Sequence, residues 1–152
     1  MRDRMIIVSS CLIGEACRYD GRSQPSEEAL RLYNMGAAIS ACPECLGGLK
    51  TPRPPAEIVG GSGEDVLLGC ARVIARCANG EVKDVTSEFI IGAYRTLEAA
   101  KNCGAREAIL KAKSPSCGCG LIYDGSFGGR LREGNGVAAA LLLKNGISVR
   151  SL

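Results

Sequence analysis

The stretch MIIVSSC, residues 5–11, decides the fold, because a short apolar run there leads directly into a cysteine. The adjacent branched side chains of Ile6, Ile7 and Val8 are typical of a strand buried on both faces of a parallel sheet. Strands are also predicted where the chain again becomes briefly apolar, over residues 37–41, 108–110 and 147–149, and another short segment spans residues 121–123. Helical spacing and capping residues predict helices over residues 26–35, 84–102 and 136–144. Strands that alternate with helices predict an α/β protein built on a parallel sheet.

Two loops rich in glycine and proline interrupt this pattern. Residues 42–63 contain four prolines and several glycines. Because proline removes a backbone donor and fixes φ, this segment is predicted to be an extended loop of fixed shape with no regular element. The second loop, SPSCGCG, follows the strand predicted over residues 108–110. Each loop therefore leaves the end of a predicted strand and carries cysteines.

The composition predicts one folded domain over residues 1–152. Hydrophobic residues make up 46% of the 152 residues, enough to build a core. No run approaches the roughly 18 apolar residues of a membrane span, and the first apolar run is too short for a signal peptide. The sequence therefore predicts a cytoplasmic protein with no membrane segment. A net charge of +3 provides no basic footprint for nucleic acid, so RNA is unsupported as a partner.

Histidine is absent from the chain, whereas cysteine occurs nine times. Without histidine, acid–base chemistry falls to carboxylates, cysteine, tyrosine or lysine, and the usual nitrogen metal ligand is missing. An odd number of cysteines cannot close into a complete set of disulfides, and a reducing cytosol keeps thiols free. The cysteines are therefore predicted to be metal ligands, nucleophiles or buried apolar residues.

Three of the cysteines, Cys11, Cys42 and Cys117, come just after the ends of predicted strands. In an open parallel sheet the carboxyl ends of the strands border one crevice, so we expect these loops and their thiols to converge. Three thiolates without histidine suit either zinc with an additional ligand or an iron–sulfur cluster. A cluster held by three protein ligands leaves one iron open to act as a Lewis acid toward a sulfur atom.

Longer motifs extend across nearly the whole chain and occur in a characteristic order. They are SSCLIGEACRYDG at residues 9–21, CPE, LGGL and TPRPPAEI within residues 42–58, DVT at 84–86, KAKSPSCG at 111–118, IYDG at 122–125 and GNGVAA at 134–139. With these motifs the chain resembles the thiouracil desulfidase family, long filed as a domain of unknown function. The resemblance implies a Rossmann-like parallel sheet with helices on both faces, in a single domain.

The resemblance also implies a 4Fe-4S cluster and a non-redox reaction that removes sulfur from thiolated pyrimidines such as 2-thiouracil. Carried over motif by motif, it assigns the cluster ligands to Cys11, Cys42 and Cys117, the catalytic glutamate to Glu44 and a site serine to Ser114. In the implied reaction the glutamate activates a water for attack on the carbon that bears the sulfur. Uracil and hydrosulfide are the products.

Two cysteines depart from the family pattern and could compete as cluster ligands. They are Cys45, in the sequence CPEC, and Cys119, in the second glycine-rich loop. Three further residues each have two open roles. Cys17 lines the site or packs, Arg53 recognises substrate or pins the proline loop, and Arg18 faces a ligand or joins a polar network beneath it.

A second function would use the same thiols without catalysis. In a metal-binding or sulfur-carrier protein the thiolates store zinc or sulfur, and Glu44 only braces its loop. The substrate of the enzyme also stays open, because a free thiobase, a thionucleoside and a thiolated tRNA present the same C=S group. The sequence gives no indication of oligomeric state.

Overall fold

The computed structural model describes residues 5–152, which form nine strands, five helices and one 3-10 turn. In chain order these are β1 (Ile6–Ser9), a 3-10 turn (Ser10–Ile13), α1 (Glu27–Asn34), β2 (Ala38–Ala41), α2 (Pro43–Leu46), β3 (Ala56–Val59), α3 (Gly63–Leu67), β4 (Arg72–Arg76), β5 (Val82–Asp84), α4 (Thr86–Asn102), β6 (Glu107–Leu110), β7 (Leu121–Tyr123), β8 (Leu131–Glu133), α5 (Val137–Lys144) and β9 (Ser148–Ser151). Each predicted strand and helix is present, with ends shifted by a residue or two. No helix in this range is long and apolar enough to cross a membrane.

Four parallel strands form the central sheet in the order β2-β1-β6-β9, which confirms the predicted parallel sheet. Val8 of β1 pairs with Ser40 of β2 on one side and with Ile109 of β6 on the other. The chain moves outward from β1 to β2 and then returns to the opposite side of β1 to form β6, so the winding reverses between β1 and β6. Ligands of open α/β sheets bind outside the carboxyl ends of the strands at such a reversal.

Helices cover both faces of the sheet, as predicted. Ile7 and Leu110 pack in the core cluster that contains residues of α4 and α5, whereas Val8 and Ile109 pack in a second cluster with Ala29 of α1. All five side chains are fully buried. Because successive strand side chains point to opposite faces, a sheet covered on both sides requires unbroken apolar strands. This requirement explains the continuous apolar run at the start of the chain.

The prediction that residues 42–63 contain no regular element is wrong, because the segment contains the short elements α2 and β3. Pro43 stands at the start of α2, where no intrahelical partner needs its N–H and its fixed φ suits the helix. Pro54 and Pro55 precede β3, so the ladder of hydrogen bonds between β3 and β4 stays intact. Proline is therefore excluded from the interior of these elements, but not from their first residue or the residues just before them.

The structure adds a small antiparallel sheet, β3-β4-β5, and a β7–β8 hairpin. The sequence analysis predicted neither β4, β5 nor β8. All residues of β5 and β8 are exposed, so these strands have no alternation of apolar and polar side chains to reveal them. The loop of the hairpin is tied to β3, because Glu57 accepts hydrogen bonds from the backbone N–H groups of Gly125 and Phe127 at 3.0 and 3.2 Å.

Two glycines allow α2 to approach α4 closely. A Cβ atom on Gly47, just after α2, would overlap the backbone carbonyl of Glu88 in α4. A Cβ atom on Gly92 in α4 would likewise overlap the carbonyl of Pro43 in α2. Because α2 also carries Glu44, this close contact determines where that carboxylate lies.

Candidate active site

One cavity of about 480 Å³ lies at the carboxyl ends of β1, β2 and β6. Its wall contains the residues that follow these strands, together with parts of β3 and of the β7–β8 hairpin. All of the site residues suggested by the motifs line this wall: Cys11, Cys42, Glu44, Ser114 and Cys117. The structure therefore brings together side chains from three loops that are far apart in sequence.

The three cysteines reach the cavity from three different local structures. Cys11 lies in the 3-10 turn that follows β1 and is 6% exposed. Cys42 is the residue that immediately precedes α2, at its N-cap position. Cys117 lies in the loop after β6 and is 5% exposed. Each local structure ends or follows a strand, so the parallel sheet itself brings the thiols to one edge.

A fourth thiol, that of Cys17, belongs to the same group. It interacts with the thiols of both Cys11 and Cys42, and its backbone oxygen accepts a hydrogen bond from Cys42 Sγ at 3.9 Å. The contact with Cys11 is the main cause that raises the pKa of Cys17 to about 12. Cys17 lines the cavity wall, so the first of its two open roles describes it.

The pKa values of Cys42 and Cys117, like that of Cys17, are raised. Burial raises the pKa of Cys117 to about 11, and contact with Cys17 raises the pKa of Cys42. Among residues 5–152, no three His, Cys, Asp or Glu side chains form a site for a single metal ion. An iron–sulfur cluster makes a different demand, because its ligand sulfurs bind different iron atoms rather than surround one point. A wall of soft thiols without a nitrogen ligand fits such a cluster.

Glu44 is held in the cavity wall by two hydrogen-bond donors. Its Oε1 accepts from Arg53 Nε at 3.0 Å, and its Oε2 accepts from Ser116 Oγ at 2.8 Å. The side chains of Glu44 and Arg53 are only 14% and 7% exposed. The guanidinium and the hydroxyl each occupy one carboxylate oxygen, so they fix the orientation of the Glu44 side chain in the wall.

Arg53 pins the proline loop, which is one of its two open roles. Its Nη1 donates to the backbone oxygen of Lys50 at 3.2 Å and to Thr51 Oγ1 at 2.9 Å. Its Nη2 donates to the backbone oxygen of Cys17 at 2.9 Å. The guanidinium is thus shared between Glu44 and the loops on either side, so Arg53 braces the site, and it also lines the cavity.

The loop after β6 is anchored on the first turn of α5. The backbone oxygens of Pro115 and Ser116 accept hydrogen bonds from the amides of Val137 and Ala138 at 2.8 and 2.9 Å. These carbonyls satisfy amide groups that have no partner inside the helix. The anchoring fixes the backbone from which the side chains of the SPSC motif extend.

Ser116 is a site residue that the sequence analysis missed. It is 2% exposed, and its Oγ lies 3.3 Å from Ser114 Oγ in addition to its bond to Glu44. Ser114 Oγ in turn accepts the backbone N–H of Cys117 at 2.7 Å. The signal in the sequence is the second serine of the SPSC motif, but only the contact with a carboxylate from another loop reveals its partner.

Ser9, at the end of β1, was missed as well. Its Oγ donates to Cys117 Sγ at 3.5 Å and accepts the backbone N–H of Lys111 at 2.9 Å. Ser9 is 2% exposed. Hydrogen bonds to a ligand sulfur stabilise the thiolate form and orient it, so Ser9 supports Cys117 from the neighbouring strand.

The two cysteines that depart from the family pattern do not line the cavity. Cys45 Sγ lies 3.6 Å from Thr51 Oγ1 and 3.9 Å from Arg53 Nη1, and Cys45 is exposed. Cys119 Sγ points away, toward the backbone oxygen of Val149 at 3.5 Å. The cavity wall therefore offers four thiols, those of Cys11, Cys17, Cys42 and Cys117.

Positive charges and aromatic rings complete the wall. Arg18, Lys111 and Lys113 line the cavity together with Tyr19 and Tyr123. The two tyrosines remain 42% and 36% exposed. Desolvation lowers the pKa of Lys111, which is partly buried. Both lysines therefore bring positive charge to the cavity that the thiols line, although Lys113 remains exposed.

Comparisons with known proteins agree with this geometry. A family model described as 2-thiouracil desulfurase matches residues 6–151. The chain is 52% identical over 147 residues to the uncharacterized protein YbbK of Bacillus subtilis (strain 168). The matched region covers 97% of this chain and 95% of that protein. The chain is also similar to the solved structure of TudS, a 4Fe-4S-dependent thiouracil desulfidase, with a TM-score of 0.82 and 44% identity over 97% of this chain and 90% of that chain. The structural match confirms the α/β fold.

Proposed function

Because the chain belongs to the 2-thiouracil desulfurase family, we propose that it removes sulfur from thiolated pyrimidines such as 2-thiouracil. Water supplies the oxygen that replaces sulfur, the products are uracil and hydrosulfide, and no electrons are exchanged. The observation that carries the proposal is the presence of buried thiols and a braced carboxylate in one cavity. The similar protein TudS is named as 4Fe-4S-dependent, which supports the same cofactor here.

Cys11, Cys42 and Cys117 hold the cluster in this proposal. Thiolates are the preferred ligands of iron–sulfur clusters, and the chain has no histidine to replace them. When bound by three protein ligands, the cluster supplies an open iron that acts as a Lewis acid toward the thione sulfur. The hydroxyl of Ser9 stabilises the Cys117 thiolate.

Glu44 is the general base of the proposed reaction. An attacking water must lose a proton, and the chain offers no histidine to take it. The carboxylate lines the cavity, and the hydrogen bonds from Arg53 and Ser116 fix its orientation. The attack forms a C–O bond at the carbon that bears sulfur, and the C–S bond then breaks. Ser114 binds the substrate or the water beside it.

The size and the aromatic residues of the cavity suit a small planar substrate. Its volume of about 480 Å³ lies within the range of small-molecule sites. Tyr19 and Tyr123 offer ring faces for a planar pyrimidine. A free base, a nucleoside and a thiolated tRNA all carry the reacting group, and tRNA has no further support here.

We assign the activity to residues 1–152 as one domain, acting in the cytoplasm, where nine free thiols stay reduced.

The first test is anaerobic purification followed by activity measurement. The protein should be brown, contain iron and sulfide, and release hydrosulfide from thiolated bases, nucleosides or tRNA under argon. A colourless protein that contains zinc would contradict the proposal and favour the non-catalytic metal-binding function. An iron-loaded protein that stores sulfur without forming uracil would favour the sulfur carrier.

Variants then separate the proposed roles. Glu44→Gln should keep the iron but lose about 10² to 10⁴-fold in turnover, the usual effect of removing a general base. Cys11→Ser should lose both iron and activity. Cys70→Ser is the matched control, because Cys70 is exposed and does not line the cavity. Retained iron in Cys11→Ser, or near-normal turnover in Glu44→Gln, would show that the residue has been assigned the wrong role.

A further inference from the structure

Ser116 links the two side chains to which the sequence motifs assign catalysis. The hydrogen bonds of residues 5–152 include no direct bond between Ser114 and Glu44. Both side chains instead bond to Ser116, with Ser114 Oγ at 3.3 Å and Glu44 Oε2 at 2.8 Å from its hydroxyl oxygen. Ser116 therefore connects the hydroxyl of Ser114 with the carboxylate of Glu44, and all three side chains line the cavity.

The hydroxyl protons of Ser114 and Ser116 both point toward Glu44. A serine hydroxyl has one proton to donate. The Ser116 proton has a second potential acceptor in Cys117 Sγ at 3.6 Å, but the charged carboxylate at 2.8 Å is nearer and is the stronger acceptor. Ser116 therefore donates to Glu44 and accepts from Ser114.

The geometry around Ser114 agrees with this direction. Ser114 Oγ already accepts the backbone N–H of Cys117 at 2.7 Å. Its own proton is thus free to point at Ser116, while the remaining lone pair of its oxygen is open toward the cavity that Ser114 lines. Glu44 cannot swing away from the chain, because its other oxygen is fixed by Arg53 at 3.0 Å.

We propose that Ser116 relays a proton from Ser114 to Glu44 during the attack of water, an inference that rests on the proposed desulfidase function. Water gives a proton to Ser114 Oγ as Ser114 gives its own to Ser116 and Ser116 gives its own to Glu44. Both serines end neutral, the carboxylate ends protonated, and the hydroxide formed attacks the carbon that bears sulfur. The proton of the added hydroxyl then moves to the sulfur as the C–S bond breaks, so that the carbonyl of the product forms and hydrosulfide leaves. Ser116 is a positioning residue that acts through its two neighbours.

The test compares Ser116→Ala, Ser114→Ala and the double variant in the iron-loaded enzyme. Ser116→Ala should keep its iron and KM but lose roughly 100-fold or more in kcat, as expected for lost proton transfer. Because both serines act in one chain, the double variant should be no slower than the slower single variant. Ser116→Thr, which keeps the hydroxyl, should recover most of the rate. The matched control is Thr96→Val, which removes a buried hydroxyl in α4 that does not line the cavity.

A solvent isotope measurement distinguishes a relay from a structural role. In mixtures of H₂O and D₂O, the wild-type rate should curve with deuterium content, because more than one proton moves in the same step. In Ser116→Ala the dependence should become linear. Wild-type kcat in Ser116→Ala, or single effects that multiply in the double variant, would overturn the relay alone. A wild-type enzyme that releases no hydrosulfide from any thiolated substrate would overturn the proposed function and the relay with it.

Discussion

Replacement of Arg53 by methionine tests whether the buried ion pair holds the carboxylate of Glu44, the proposed general base, in place. The side chains of Arg53 and Glu44 are 7% and 14% exposed, and their N–O distance is 3.0 Å. Methionine keeps much of the length of the side chain but removes the charge and all of its donors. Glu44 would then keep only the hydrogen bond from Ser116 in a place with little water.

The expected loss follows from the burial of the pair. Removing one partner of a buried pair leaves an uncompensated charge, which costs about 3–5 kcal/mol. The backbone oxygens of Lys50 and Cys17 also lose a donor. Water can replace that donor where the loop is exposed, so these two oxygens should not increase the loss of stability. A displaced carboxylate should also reduce turnover by roughly 100-fold, since small misplacements in an active site have effects of that size.

The assay is urea unfolding of both proteins at neutral pH under argon, followed by turnover with a thiolated base. Arg72→Met is the matched control, because Arg72 makes the same type of ion pair with Asp84 at 2.8 Å, but the two side chains are 57% and 41% exposed. An exposed pair contributes less than about 1 kcal/mol. Equal losses of stability in the two variants would refute the reasoning, since burial would then not determine the cost.

Three further predictions concern other parts of the chain. Ser9→Ala should lower the reduction potential of the bound cluster, because the hydrogen bond to Cys117 Sγ stabilises the more negative reduced state, and an unchanged potential in voltammetry would contradict this. Gly92→Ala should lower the free energy of unfolding by about 1–3 kcal/mol and slow turnover, because the new Cβ overlaps the backbone of α2, and wild-type stability would contradict the close contact. Arg72 holds the pKa of Asp84 at about 2 in the folded protein, below the value in the unfolded chain. The ion pair therefore stabilises the folded protein at neutral pH, and this stabilisation is lost as the pH falls through about 2. Asp84→Asn should therefore be less stable than wild type at pH 7, by under about 1 kcal/mol because the pair is exposed, and equally stable near pH 2, whereas a difference that persists in acid would contradict the shift.

The parallel sheet could be predicted from local sequence because burial on both faces leaves a local signature. The run from Ile6 to Val8 must be apolar at every position when helices cover both sides, and it is. Short exposed strands such as β5 carry no such constraint, so nothing in their composition distinguishes them from loops. The proline-rich segment misled in the same way, because Pro43 starts a helix instead of preventing one.

The cysteines of the site could be predicted because strand ends in a parallel sheet meet at one edge. Cys11, Cys42 and Cys117 each follow a strand, and all line the same cavity. The extra thiols were ambiguous in sequence. Only the tertiary structure shows that Cys17 lines the cavity, whereas Cys45 and Cys119 do not. The thiol of Cys45 nevertheless contacts that of Cys42.

By itself, the sequence of this protein determined which residue types could perform chemistry and at which strand ends they would lie, because both properties depend on neighbours along the chain. The tertiary structure alone decided the partners of Glu44, since Arg53 comes from the proline loop and Ser116 from the loop on α5. A hydrogen bond needs its atoms within about 3 Å of each other. Whether side chains 72 positions apart meet that condition depends on how the elements pack, and no local pattern records it.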